Sequence, residues 1–348
     1  MSTSYSSPIV SVILPTYNRA SLLPQAVQSI LRQEFTDLEL IVVDDGSIDQ
    51  TPEIISGIND TRLRYLALKE NRWETFARNQ GIQQARGEFI AQMDSDDLWY
   101  PQKTSYQVDL FNRYKHLDLV FCNMLDIDHI TGTEENYFKQ KAQAFQQLQI
   151  QELDSDAWEI MAGLPEALLV STIIPHPTVM LRRSSMKSIG GYNESLRGGG
   201  DFEYWWRAAL GGAKFAYTTR IFLDRHRDAQ NLTADRVVFG LHFSQALLLC
   251  ELTAFENGRN ELLPLIRDAR YRSWHKIMLE QIRRGEHREA FTSYKESIKY
   301  VRWIYGLTVV LASYLFSVLF GPRSVEQLRK LIGPRCMDQI RKLRQSIK

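Results

Sequence analysis

Residues 77–97 read ARNQGIQQARGEFIAQMDSDD, and the change of period inside this stretch decides the fold. A helical pattern over 73–86 stops at Gly87, and residues 88–93 then form a short apolar strand that runs straight into Asp94, Ser95, Asp96 and Asp97. Three carboxylates in four residues repel one another strongly. A hard divalent ion such as Mg²⁺ relieves that repulsion while taking only one or two protein oxygens. The alternative is a solvated acidic turn ahead of the helix that Pro101 begins, and Asp97 is the acid best suited to a purely structural role.

The same alternation extends outward on both sides. Residues 9–14, 38–43, 63–68 and 118–123 read as strands, and 21–32, 51–58 and 101–114 as helices. Strands alternating with helices predict right-handed crossovers, and so an α/β fold with a doubly wound, mainly parallel sheet. Ligands bind such sheets at the carboxyl ends of the strands. There the first strand delivers Pro15, Thr16, Tyr17, Asn18 and Arg19, and the second delivers Asp44, Asp45, Gly46 and Ser47. A carboxylate at the second position can accept the imide N–H of uracil or thymine. Ser47 and Asp49 can instead cap the helix that starts near Thr51.

Four segments are expected from the whole chain. They are residues 1–125, 126–233 with an insertion at 130–175, a helical region at 234–300, and an apolar helix with a basic tail at 301–348. The Gln-rich stretch 139–151, KQKAQAFQQLQIQ, predicts a helix or a mobile insertion. A strand at 178–181 and a helix at 201–210 follow, and beyond 234 the pattern is helical. The 348 residues suit about two domains, and 44% hydrophobic residues exclude wholesale disorder. With 42 basic against 41 acidic residues, bulk charge gives no reason to expect nucleic acid as a partner. Three widely spaced cysteines indicate neither a disulfide framework nor a thiolate metal site. The N-terminus reads as the first strand of a cytoplasmic protein rather than a signal peptide.

Three motifs in this order, VSVILPTYNR at 10–19, VVDDGSIDQT at 42–51 and the stretch at 77–97, resemble the nucleotide-diphosphosugar-binding half of the family-2 glycosyltransferases, which have the GT-A fold. The resemblance covers about residues 8–230. It implies that Pro15, Thr16 and Tyr17 border the nucleoside together with Asp44 and Asp45. It also implies that Asp94, Ser95 and Asp96 match the DXD motif, with Asp96 the more direct ligand of Mg²⁺ or Mn²⁺. Arg78 then faces the diphosphate, or else makes a salt bridge on its helix surface. PHPTVMLRRSSMKSIGGYNESL at 175–196 and GGGDFEYWWRAALGG at 198–212 resemble the acceptor half. Family members usually carry an acidic pair there, and here Gly200 stands in the first position. That leaves Asp201 as general base with Glu203 as fallback, the competing role for Asp201 being an N-cap. Of Trp205 and Trp206, one is expected in the core and one beside a sugar. His226, after a strand at 221–223, is a further candidate near the metal or diphosphate, ahead of His176.

The resemblance implies an inverting transfer from a UDP- or dTDP-linked sugar to a hydroxyl of a glycan or lipid-linked acceptor. A nucleotidyltransferase would need a glycine-rich, basic triphosphate loop that the first strand lacks. Gly200 keeps open a sugar-nucleotide-binding protein without catalysis. Residues 303–322 are uncharged, and the segment 323–348 after them carries eight basic residues against two acids. Such a segment predicts attachment to an anionic membrane surface, with the enzyme at the inner face of the cell membrane. A buried helix of the helical region is the alternative.

Overall fold

The computed structural model describes residues 7–227 and 235–300. Its strands are β1 (Val10–Thr16), β2 (Leu38–Asp44), β3 (Leu63–Ala67), β4 (Phe89–Gln92), β5 (Leu98–Trp99), β6 (Leu119–Asp128), β7 (Thr133–Asn136), β8 (Gln149–Asp154), β9 (Ala157–Ala162), β10 (Met180–Arg182) and β11 (Phe215–Arg227). The helices are α1 (Leu23–Leu31), α2 (Thr51–Ser56), α3 (Trp73–Gln84), α4 (Lys103–Arg113), α5 (Tyr137–Gln140), α6 (Ala142–Phe145), α7 (Leu164–Val170), α8 (Met186–Ile189), α9 (Gly200–Leu210), α10 (Arg236–Glu256), α11 (Leu263–Arg283) and α12 (His287–Ile298). The described residues form two compact units, one within 7–227 with 252–262 and the other within 235–251 with 263–300.

The first unit is built on one sheet in the order β3-β2-β1-β4-β10-β6-β11-β9-β8. Strands β3, β2, β1 and β4 run parallel, and so do β6 and β11. Between these two sets β10 is antiparallel to both β4 and β6, while β9 and β8 extend the sheet beyond β11 as an antiparallel hairpin. Every residue of β1, β2 and β4 is buried, as expected of strands covered on both faces. Helix α3 lies close on this floor because Gly81 has no side chain. A Cβ there would come 2.7 Å from Ile13 Cγ2 and 2.9 Å from Val43 Cγ2.

The Gln-rich stretch is neither one helix nor a mobile insertion. It divides between α5, α6 and β8. Tertiary packing decides this: Phe138 and Phe145 join Phe121, Trp158 and Tyr217 in one aromatic cluster on β6, β9 and β11, with centroids 4.6–5.9 Å apart.

The second unit is helical. Met278 and Ile282 of α11 pack with Ala290 and Tyr294 of α12, and Glu251 pairs with Arg267 and Arg270. Helix α10 is long and apolar enough to cross a membrane by length and composition. Within this unit it exposes Val238, Leu241 and Leu248, which fall on one stripe at helical spacing. The apolar segment and basic tail expected over 301–348 lie outside the described residues.

Candidate active site

The carboxyl ends of β1 and β2 are sewn together by short polar contacts. The Asn18 amide donates to Ser47 Oγ at 2.9 Å, and the Ile48 amide donates to Asn18 Oδ1 at 2.9 Å. Asp49 accepts the amides of Ala20 and Thr51, so its role is a cap and staple. Asp44 is buried and accepts the Ser47 amide at 2.8 Å and the Tyr65 hydroxyl at 2.5 Å. Asp45, also buried, accepts the Arg72 amide at 2.9 Å. Burial pushes its carboxyl up to about 6, against the pull of the Arg72 and Trp73 amides. Pro15 and Thr16 are buried and Tyr17 is exposed; the Thr16 hydroxyl has no hydrogen-bond partner among the described residues.

At the end of β4 the acids are distributed by burial. Asp94 is part-exposed, Ser95 is buried, Asp96 is part-exposed with Arg19 at 3.6 Å, and Asp97 is buried under the His226 amide at 3.2 Å. Arg78 is fully buried beneath Asp94. Its guanidinium donates to Glu74 and Asp94 carboxylates, to Gln92 Oε1 at 3.2 Å and to the Met93 carbonyl at 3.4 Å. Burial pushes the Asp94 carboxyl up to about 7 against the opposing pull of Arg78, and Glu74 and Asp96 add to the rise. Asp97 is pushed well up by burial and by the charges of Asp96 and Asp94. Its Oδ2 is buried without a hydrogen-bond partner among the described residues.

Helix α9 brings the remaining acid to the same place. It begins at Gly200 with Gly199 at the N-cap, and no side chain caps it, so Asp201 lies inside the first turn. Burial and the charge of Glu74 together raise the Asp201 carboxyl to about 6, against the pull of the Phe202 amide and Arg78. Glu203 points elsewhere: it is buried in an ion pair with Arg207, which also donates to the carbonyls of Ile189 and Gly191. Trp205 and Trp206 are both buried, so neither borders a sugar. The α9 face that carries them packs inward, with Trp205 centred 5.7 Å from His176. His226 stacks on His129, its Nδ1 2.8 Å from His129 Nε2, and burial lowers its pKa.

Sequence patterns underweighted two residues. His176 is buried, with Nε2 2.9 Å from the Tyr192 hydroxyl and Nδ1 3.9 Å from Asp94 Oδ1. Glu74 is the i−4 partner of Arg78, so the salt bridge expected as one alternative for Arg78 is made, but inside the site rather than on the helix surface. Ligand atoms of Glu74, Asp94 and His176 lie within 4.8 Å of one another, with the Arg78 guanidinium already joining the two carboxylates. One turn of α3 carries a further signature. Trp73 has φ 73°, a left-handed conformation that costs a bulky residue on the order of 1–3 kcal/mol.

Residues 11–169 match the sequence model of Glycosyl transferase family 2. Residues 11–169 thus resemble a family-2 glycosyltransferase domain. The chain is 31% identical over 202 residues to an uncharacterized glycosyltransferase of Rickettsia typhi, a match covering 58% of either chain. It is 38% identical over 101 residues to the putative colanic acid biosynthesis glycosyl transferase WcaA of Escherichia coli, covering 28% of this chain and 36% of WcaA. With the succinoglycan biosynthesis protein ExoO of Rhizobium meliloti the figures are 41% over 102 residues and 29% of each chain. This chain therefore spans at most 58% of the length of these relatives. Among solved structures, S. aureus TarS 1-349 in complex with UDP-GlcNAc has TM-score 0.55 at 18% identity, covering 88% of this chain and 91% of TarS 1-349. The mannosyltransferase PcManGT from Pyrobaculum calidifontis, in complex with GDP-Man and Mn²⁺, has TM-score 0.56 at 17% identity, covering 91% and 82%. This part of the chain thus has the GT-A type of fold, a mixed central sheet with parallel strands at its heart and helices on its faces, and a helical region follows it.

Proposed function

We propose that the protein transfers a sugar from a UDP- or dTDP-linked donor to a hydroxyl of a growing surface glycan or lipid-linked acceptor, with inversion at the anomeric carbon. One observation carries this reading. The acids at the end of β4 and the acid at the start of α9, far apart in sequence, sit within electrostatic reach of the same Glu74–Arg78 pair. A donor diphosphate on one side and a hydroxyl nucleophile on the other need that separation of duties.

The acids at the end of β4 suit a divalent cation. Asp96 raises the proton affinity of Asp94, both raise that of Asp97, and Asp97 keeps a buried oxygen without a hydrogen-bond partner among the described residues, so a cation would relieve the cluster. Asp96 and Asp94 would hold Mg²⁺ or Mn²⁺, with His226 as a further candidate, and the ion would supply charge stabilisation for the departing diphosphate. Pro15, Thr16, Tyr17, Asp44 and Asp45 border the nucleoside, and the unpartnered Thr16 hydroxyl offers it a hydrogen bond. Ser95 lies between the two acids. Arg78, buried and fully engaged, fixes the Asp94 carboxylate from below rather than meeting the diphosphate itself. Asp201 takes the proton of the attacking hydroxyl. A carboxyl held at about 6 is a stronger base than an ordinary aspartate and is still ionised at neutral pH.

WcaA and ExoO carry names from polysaccharide biosynthesis, which supports a glycan acceptor. The exposed apolar stripe of α10 and the uncharged and basic segments at 303–348 support placement at the inner, anionic face of the cell membrane. The test is nucleoside diphosphate release from a panel of UDP-, dTDP- and GDP-sugars with Mn²⁺, with and without acceptor glycans. Release from UDP- or dTDP-sugars is expected; no release from any donor under any acceptor would overturn the reading.

A further inference from the structure

Two guanidinium groups stand over two aromatic rings at the edge of this site. Arg72 Cζ is 3.7 Å from the Phe76 ring centroid, and Arg197 Cζ is 4.9 Å from the Trp73 centroid. Trp73 and Phe76 are three residues apart on the first turn of α3 and so share a face. Arg72, Trp73 and Arg197 are exposed, and neither arginine is in an ion pair among the described residues. The turn that presents Trp73 is held in its left-handed conformation from behind, where Asp45 accepts the Arg72 amide. Thr75 Oγ1 donates to the Leu196 carbonyl at 3.1 Å, which pins this turn to the loop carrying Arg197 and leading into Asp201.

We propose that Arg72, Trp73, Phe76 and Arg197 form an acceptor subsite for a glycan whose sugar at this position bears a carboxylate, a uronic acid. The inference rests on the glycosyl-transfer reading above. An indole face packs on the C–H face of a pyranose ring, while a guanidinium fork matches a carboxylate with two parallel hydrogen bonds. A guanidinium already stacked on a ring has less freedom to lose when it binds. Glu74 and Asp201, on neighbouring positions, repel a carboxylate that strays from the arginines. Repulsion and attraction together orient the sugar, with its acid group on the arginines and a hydroxyl turned to Asp201.

The test is calorimetric titration of the full chain, in the presence of UDP or dTDP, with three disaccharides that differ only at one end: glucuronic acid, glucose and glucose 6-phosphate. The glucuronate probe is expected to bind at least tenfold more tightly than the glucose probe, and added salt should erode that advantage. Arg72→Gln with Arg197→Gln should abolish the preference, the paired Arg→Lys changes should retain part of it, and Trp73→Gly should weaken both probes several-fold. Circular dichroism confirms that the exposed substitutions leave the fold intact. Equal affinity for glucuronate and glucose, a preference that survives the double Gln variant, or a preference for the phosphate ester would each overturn the proposal. Failure of the wild-type protein to bind either nucleotide overturns the functional reading instead, whereas nucleotide binding without uronate preference overturns only the subsite.

Discussion

Gly200 lies so close to Thr75 that a Cβ at position 200 would come 2.5 Å from the threonine Cγ2 methyl. The glycine that replaces the usual first acid of the pair is therefore a packing requirement of this chain. It lets the start of α9 close on the start of α3, and this closure brings Asp201 within reach of Glu74. Gly200→Ala should cost about 1–3 kcal/mol through overpacking and lower the transfer rate by displacing Asp201. Thr75→Ser removes the offending methyl and keeps the hydroxyl that bonds Leu196, so the double variant should recover both thermal midpoint and rate. A double variant no better than Gly200→Ala would show that the contact is not what matters.

Asp201→Asn should keep nucleotide binding and lose roughly 10²–10⁴-fold in transfer, the ordinary contribution of a general base. Glu203→Gln should instead lower stability, because it leaves Arg207 without its buried carboxylate. The wild-type rate should fall about tenfold per unit as pH drops below about 6, where Asp201 takes up a proton. The sign for stability is opposite. The folded carboxyl holds its proton up to about 6 and the unfolded one only to 3.8, so ionising Asp201 between those values costs stability. Asp201→Asn should thus melt higher than wild type at pH 7, with the gap closing below about pH 4. Melting curves across this range measure it.

The strand-end acids were legible because clustered carboxylates after an apolar strand have few other uses. The parallel half of the sheet was legible because β1, β2 and β4 are buried on both faces and read as uninterrupted apolar runs. What could not be read depends on contacts between distant residues. Arg78 shows the same i,i+4 spacing to Glu74 whether it lies on a surface or beneath Asp94, and only its contacts with Gln92, Met93 and Asp94, distant in sequence, mark it as buried. The two adjacent tryptophans were expected on different faces of α9, yet the helix is enclosed widely enough to bury both. Trp73 carried no sequence signal, since nothing in a tryptophan announces a positive φ.

Removing the cation should test the β4 acids. Excess chelator is expected to stop transfer, and Mn²⁺ or Mg²⁺ should restore it. Asp96→Asn should nearly abolish activity with little change in melting temperature, since Asp96 is part-exposed and Arg19 lies 3.6 Å away rather than in a close ion pair. Full activity in excess chelator would remove the metal from the mechanism.

Arg78→Met should destabilise the fold by roughly 2–4 kcal/mol, somewhat less than for a fully buried pair because Glu74 and Asp94 each keep some contact with water. Arg78→Lys keeps the charge without the fork that joins Glu74 to Asp94, so it should recover much of the stability but little of the transfer rate. Urea midpoints and single-turnover rates separate the two effects. Equal recovery of both would mean that charge alone suffices at this position.

Attachment to lipid can be examined through two features that fail independently. Residues 303–322 would measure about 30 Å as a straight helix, enough to match a hydrocarbon core, and the net +6 of 323–348 is attracted to anionic lipid by about 1 kcal/mol per basic residue near the surface. Helix α10 separately exposes Leu241 and Leu248 on one stripe. Full-length protein should float with anionic liposomes and poorly with neutral ones. A chain ending at residue 300 should lose the charge-dependent part, and Leu241→Glu with Leu248→Glu should weaken what remains. If the full-length protein fails to float, or if it floats equally well after both changes, neither feature meets the membrane and the proposed location falls.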